Sequence, residues 1–424
     1  MTILLVNWAW YPTGGDWTAI ENLVRLYERQ GHTVIPFAMK DPRNLPTPYE
    51  RYFVDNIDYR TLNSHRSVAS SIRVLGRSIY SLASRRSLDE LLRDVRVDVA
   101  HLHGPGPQIT CSILSLLKAH RIPTIWTLHD YWLLCPATSF VRRGEVCERC
   151  RGNRFYECTL GRCKKDSYPA SLVASLAAYA RHMQNVHRYV DRFICPSRML
   201  YDKFVEFGFA ESELVHIHNP FDTEALRKPL PHIPSSYGRY ILCTGRVERE
   251  KGVFTLMQAM GALPGVNLVI LGEGTQLDAC RNMAARGKAG NVFCPGRVGK
   301  EEVYSFIQDS LFVVCPSEVY ENMPYSVVEA MLLGKPVVGS RIGGIPEFVL
   351  DDVTGLTFAP GNVQDLTEKL MCLLSDQQKR ESCGRSAQKY MARLVSFDAH
   401  YRRMQEVFRD LKLGEHLTQT APND

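Results

Sequence analysis

The chain has 424 residues, 45% hydrophobic and 23% charged, an ordinary globular composition that excludes a wholly disordered, collagenous or coiled-coil protein. That length suggests two to three domains, and no apolar run approaches the roughly 18 residues of a membrane-crossing helix. The formal charge of +6 is unevenly spread: residues 1–190 carry 25 basic and 16 acidic side chains, and residues 191–424 carry 26 and 29.

The front half is therefore where an anionic partner is expected, whether nucleic acid, an anionic membrane or a phosphate-bearing substrate. The chain opens on the apolar run Ile3–Val6, with no basic segment before it. This reads as a first buried strand rather than a signal peptide. A cytoplasmic, reducing setting is expected, with the 13 cysteines mostly free thiols. After the strand come a turn at Pro12–Gly15, a helix over about Trp17–Gln30 and a second strand over 32–39. That is a βαβ opening. Short strands are predicted again at 98–103, 124–129 and 192–197, with helices between, as in a parallel doubly wound sheet.

Two segments interrupt this rhythm. Between 60 and 96 lie Arg60, Arg66, Arg73, Arg77, Arg85, Arg86, Arg93 and Arg96. Arg73 and Arg77, with Val74, Leu75, Ile79 and Leu82, suit a basic amphipathic helix on an anionic membrane, or a plain solvated face. The second is a Cys-rich insertion at 135–165. Cys147, Cys150, Cys158 and Cys163 fall within 17 residues and begin with a CxxC. Four thiolates suit a structural zinc, with free thiols or a disulfide as alternatives. Eight basic residues surround them: Arg142, Arg143, Arg149, Arg151, Arg154, Arg162, Lys164 and Lys165. Such a lobe suits a lipid diphosphate or a nucleic-acid contact. The apolar stretch 170–180 is too short to span a bilayer and reads as a buried or interfacial helix.

A Pro/Ser-rich linker is predicted near 227–239. Strands then recur at RYILCTGRV, NLVILGEG, VFCPGRV, LFVVCPSE and KPVVGS. The fold class is thus α/β, with two Rossmann-like domains, 1–225 and 226–396. A last amphipathic helix, within 397–424, is expected to pack back towards the first domain, with a frayed tail after Gly414. Cys195, Cys243, Cys294 and Cys315 fall on strands and are expected to be buried hydrophobes. Asn219 is expected to be a turn residue.

The second half carries the chemistry-bearing motifs. Arg246 and Lys251 lie just after a strand, where fixed cations and a helix N-terminus can hold a diphosphate. Glu321 lies on a loop and Glu329 near the start of a helix that Pro324 opens. Two carboxylates there are good acceptors for sugar hydroxyls, or simply complement a helix end. Gly343-Gly344 lets backbone approach a ligand, or makes a plain turn. His129-Asp130 sits at the ligand-bearing end of a strand, with His101 and His103 as a similar pair.

GRVEREKG, LGEG, CPGRV, SEVYENMPYSVVEAMLLGKPVV, GGIPE and TGLTFAPG, in that order over 241–361, resemble the retaining GT-B glycosyltransferases of family 4. The resemblance covers most of the chain. It implies two lobes facing across a cleft, and a UDP- or GDP-sugar donor. Arg246 and Lys251 would hold the diphosphate, Glu329 the ribose hydroxyls and Glu321 the donor sugar. Backbone near Val298 would meet the base. Gly14 and Gly15 would approach the donor phosphates, and His129 the reaction centre. Many members carry glycines after the first Glu; this chain has Asn322-Met323-Pro324-Tyr325, a pattern similar to polysaccharide-assembling members. Pro324 has no N–H, so donors to the sugar must come from elsewhere, Met323 among them.

No carboxylate nucleophile for a double displacement is evident. The resemblance instead implies a front-face reaction in which the leaving phosphate takes the acceptor's proton. There is no Asp-x-Asp in the sequence, so no catalytic metal is expected. The expected acceptor is lipid-linked or an oligosaccharide, on a protein that is cytoplasmic or peripheral on the inner face of the cell membrane. An epimerase of the same fold, a non-catalytic glycan-binding subunit and a metal-containing nucleic-acid-binding protein are the alternatives. The motif order favours transfer, and no nucleic acid is expected.

Overall fold

The computed structural model describes residues 1–56, 76–227, 230–231, 237–286 and 291–413. Arg60, Arg66, Arg73, Val74 and Leu75, part of the predicted linker and the tail from Gly414 lie outside the described residues.

Two six-stranded parallel sheets organise the molecule. The first contains β1 (Thr2–Asn7), β2 (Thr33–Phe37), β3 (Val99–Gly104), β4 (Thr124–Thr127), β7 (Arg192–Cys195) and β8 (Leu214–His216), in the order β2-β1-β3-β4-β7-β8. The second contains β9 (Tyr240–Thr244), β10 (Asn267–Leu271), β11 (Val292–Gly296), β12 (Val313–Cys315), β13 (Val337–Ser340) and β14 (Gly355–Phe358), ordered β11-β10-β9-β12-β13-β14. β5 (Val141–Arg142) and β6 (Glu145–Val146) form a two-stranded hairpin in the Cys-rich insertion.

The strands read as unbroken apolar runs because both faces are covered. In β1, Leu4 and Val6 face one core cluster while Ile3 faces another, with Leu23, Leu26 and Tyr27 of the helix Gly15–Arg29. In β9, Leu242 and Ile241 divide in the same way. This is the alternation of a strand with period two. Missed in the sequence were β8, β14 and the hairpin, all short and without a strong alternating pattern.

The helix Phe397–Asp410 lies against the first sheet: Met404, Val407 and Phe408 join Ile3, Val99, Ile125 and Ile194 in one buried cluster. Tyr401 Oη and His32 Nε2 are 2.7 Å apart across that contact. The chain therefore leaves the second lobe and returns to the first.

Within the basic stretch, residues 76–79 are helical, and a separate helix, Leu82–Asp94, starts behind the Ser81 cap. Arg77 and Leu82 thus do not share one continuous helix, a correction to the sequence reading. Arg85 is held by Ser115 and Arg93 by Asp89, so this face is tied down in part. Cys195, Cys243 and Cys315 are buried, while Cys294 is half-buried. No helix among the described residues is long and apolar enough to cross a membrane.

Candidate active site in the interlobe cleft

In open α/β sheets, ligands collect at the carboxyl ends of strands where the strand order reverses. Here those points flank β1 in one lobe and β9 in the other. The loops after β1, β9 and β12 carry Gly14-Gly15, Arg246–Lys251 and Glu321.

The loops after β9 and β12 meet backbone to backbone. Gly252 has φ +71°, and a Cβ there would lie 1.8 Å from the Pro316 carbonyl oxygen, so only glycine fits. That approach brings the Lys251 ammonium onto the Glu321 carboxylate. Both side chains are largely enclosed, at 21% and 16% exposure, so the pair is screened less than a surface ion pair. Arg246 stands exposed on the same loop.

Gly343 and Gly344 pack against this loop. A Cβ on Gly343 would lie 2.5 Å from the Glu321 nitrogen, and one on Gly344 would lie 2.0 Å from the Asn322 oxygen. The Gly344 N–H also donates to the Glu321 carbonyl at 2.7 Å. The glycine pair is thus a backing plate that fixes Glu321.

Asn322, which follows Glu321, reaches the other lobe. Its Oδ1 accepts from the Ser197 hydroxyl at 2.6 Å, and its Nδ2 donates to the Leu128 carbonyl at 3.2 Å and the His129 carbonyl at 3.4 Å. Glu347, from the GGIPE motif, makes a second bridge: its carboxylate accepts from the Arg198 and Met199 N–H groups at 2.8 and 2.6 Å. It caps the helix Arg198–Glu206 of the opposite lobe. A third link is Lys300 to Glu21 at 3.3 Å. Sequence reasoning gave Ser197 and Glu347 no role and treated Asn322 only as a departure from the usual motif. Nothing in a single sequence marks contacts that span 125 or 149 residues.

Gly14, at φ +154°, precedes the helix Gly15–Arg29, and a Cβ on Gly15 would touch the Tyr325 ring at 3.3 Å. The first lobe's glycine turn therefore abuts the helix Tyr325–Leu332, which carries Glu329 in its second turn. Burial pushes the Glu329 carboxyl up to about 7, against the opposing pull of Lys300 and a Tyr304 hydroxyl at 3.5 Å. Val298 packs half-buried on the same core, and Met323 is buried. Asn219 is buried at 5% exposure rather than sitting on an open turn.

His129 lies two residues past β4. Its Nε2 is 2.8 Å from His103 Nδ1, and the two rings stack. Burial holds His129 down to about 4 and His103 well below the ordinary imidazole range, so both are neutral near pH 7. His103 Nε2 is buried without a partner. A bare acceptor is tolerated there better than an orphaned N–H, which assigns the shared proton to His103 Nδ1 and leaves His129 protonated on Nδ1. His101 instead bonds Tyr27 and Thr127 inside the lobe at 2.9 and 2.7 Å.

The four cysteines do not form a tetrahedron. Cys158 and Cys163 share a thiol hydrogen bond, and this contact lowers Cys163 to about 7. Among the described residues, the only group of three ligand atoms all within 4.8 Å is His216, His218 and Glu347. The thiols are neighbours, with Cys135, Cys147 and Cys163 all acting on Cys150, but as placed no three of them meet that spacing, whereas tetrahedral zinc holds sulfurs about 3.8 Å apart.

Two Rossmann-like lobes, facing each other with a cation–carboxylate pair at the switch point of the second, define a GT-B architecture. Residues 13–225 match the family model Glycosyltransferase Family 4, and residues 232–390 match Glycosyl transferases group 1. The chain belongs to glycosyltransferase family 4.

A relative in Klebsiella pneumoniae, an uncharacterized 42.6 kDa protein in its cps region, is 22% identical over 87% of this chain and 95% of its own length. Sulfoquinovosyl transferase SQD2 of Arabidopsis thaliana is 30% identical over 48% of this chain and 41% of its own length. The chain spans about half the length of the curated relatives it matches at such identities. The fold is similar to Anabaena HepE, solved in complex with UDP and glucose, with a TM-score of 0.67 at 17% identity, covering 97% of this chain and 100% of that one.

Proposed function

We propose that the chain transfers a sugar from a UDP- or GDP-sugar to a lipid-linked or oligosaccharide acceptor in cell-surface polysaccharide assembly, with retention at the anomeric carbon. The observation that carries this reading is the Lys251–Glu321 pair, held at the cleft by the Gly343-Gly344 plate and joined through Asn322 to the strand end bearing His129. Family membership, the cps-region relative and the UDP complex of HepE add support.

In this reading the entering diphosphate takes the Lys251 ammonium from Glu321 and adds Arg246. Glu321 is released to accept from the donor sugar's hydroxyls. Glu329 accepts from the ribose hydroxyls, and His129, neutral, donates from Nδ1 to the sugar. Bond breaking at the anomeric carbon places negative charge on the departing phosphate, and the two cations stabilise it. That phosphate oxygen takes the acceptor's proton on the same face. No catalytic metal is invoked, and the reaction belongs to the cytoplasmic side, where nucleotide sugars are available.

Thermal shift with UDP, GDP and ADP tests the reading. Selective stabilisation by UDP or GDP is expected; no shift with any nucleotide would contradict it.

A further inference from the structure

The helix Tyr168–Met183 is built inside out. Its buried positions are Ser171, Ser175, Ala178 and Arg181. Its exposed positions include Leu172 and Leu176, 48% and 46% exposed, and Met183 at 77%. At about 100° per residue, Tyr168, Leu172, Leu176 and Met183 fall within about 80° of arc. A surface helix normally turns such a stripe inward. Here the inward serines have specific work: Ser175 donates to the Phe155 carbonyl at 2.7 Å, and Ser171 accepts the Lys164 N–H at 2.9 Å. The register is therefore locked, and the leucines are held in water. The adjoining turn Tyr156–Leu160 adds Leu160, 62% exposed. An exposed apolar stripe of this kind marks an interaction surface.

Its surroundings identify the partner. Residues 142–166 carry eight basic side chains and four acidic ones. Three of the acids are occupied: Glu148 binds Lys203 and Tyr320, Glu157 faces Arg149, and Asp166 acts on Arg162. Arg151, Arg154, Arg162 and Lys165 are exposed, and the Arg162 guanidinium lies over the Tyr168 ring at 4.3 Å. The helix itself has no acidic residue. An apolar stripe beside an excess of exposed cations is complementary to the surface of an anionic bilayer, which takes leucine into its acyl boundary and cations at its headgroups.

We propose that this face, Tyr168–Leu172–Leu176–Met183 with Leu160 and its flanking cations, docks the protein on an anionic membrane. The Cys-rich insertion next to this helix reaches the cleft, where Glu148 accepts from Tyr320, the neighbour of Glu321, at 2.8 Å. If the transferase reading above holds, docking here sets the acceptor side of the cleft at the bilayer surface; the docking itself does not depend on that reading.

The test is flotation of the full chain with vesicles of phosphatidylcholine alone and of phosphatidylcholine with phosphatidylglycerol at about 7:3. Binding only to the anionic vesicles is expected. L172S/L176S and, separately, R151E/R154E/K165E should each weaken it about tenfold or more, with unchanged circular dichroism and an unchanged thermal shift with UDP. Undiminished binding of the leucine variant would overturn the proposal. So would equal binding to neutral vesicles, or a lipid-free dimer that the leucine variant dissociates. A missing UDP shift with intact flotation would refute only the transferase reading.

Discussion

The Lys251 ammonium and the Glu321 carboxylate neutralise each other in the cleft, brought together by the closeness of Gly252 to Pro316. The two groups have different jobs once a donor enters, so their removal should be distinguishable. Glu321→Ala should keep the nucleotide-induced thermal shift and lose transfer by about 100-fold or more. Lys251→Ala should weaken nucleotide binding itself, by about tenfold or more, because a charge-assisted contact to phosphate is lost. Calorimetry with UDP and GDP beside turnover assays separates the two.

Asn322 is expected to act on geometry. Removing its three contacts across the cleft costs about 3 kcal/mol in total, since each net hydrogen bond contributes only about 1 kcal/mol. Asn322→Ala should lower the melting temperature by a few degrees and reduce kcat/KM, with less effect on nucleotide affinity. Nucleotide affinity falling as far as kcat/KM would mean that Asn322 belongs to the binding surface instead.

Glu329 gives the cleft a pH dependence with a definite sign. Its carboxyl, at about 7, is mostly protonated at pH 6 and mostly charged at pH 8. A charged carboxylate accepts from both ribose hydroxyls; a protonated one accepts less well. Donor affinity should therefore fall about tenfold from pH 8 to pH 6. Glu329→Gln should flatten that dependence. By linkage, the folded chain binds an extra proton at this site between pH 4.5 and about 7, so this group's contribution to stability falls as pH rises through that window.

Cys163 should be the most reactive thiol. The Cys158 hydrogen bond lowers it to about 7, while burial raises Cys111, Cys243 and Cys315 to about 12 or beyond. Iodoacetamide at pH 7.5 should label Cys163 first, and Cys163→Ser should remove the fast phase. Metal analysis should find less than about half an equivalent of zinc, since zinc requires a tetrahedral thiolate set; a full equivalent would mean that the cysteines draw together around the ion.

Much of this architecture was legible in the sequence. Strands buried on both faces announce themselves as apolar runs, and Gly14-Gly15 marks the first turn. Local signals together with the family resemblance also singled out Lys251 and Glu321, which the structure pairs. What they could not reveal were relations between distant segments. Gly343-Gly344 read as a ligand-approaching backbone or a plain turn, and its packing on Glu321 was visible in neither reading. Asn322 looked like a departure, yet joins the lobes. The insertion's helix looked buried or interfacial by composition, and only the placement of Ser171 and Ser175 shows that Leu172 and Leu176 face outward. Short strands such as β8 and β14 carry too few residues for a period to register.

Nucleotide-sugar turnover by the purified full chain, with the product's anomeric configuration read by NMR, tests the central claim most directly. The account predicts that a UDP- or GDP-linked α-sugar is consumed and an α-linked product or free α-sugar appears, with Glu321→Ala inactive. Consumption with inversion to the β-anomer, or no consumption of any nucleotide sugar by a chain that is folded and stable, would contradict it.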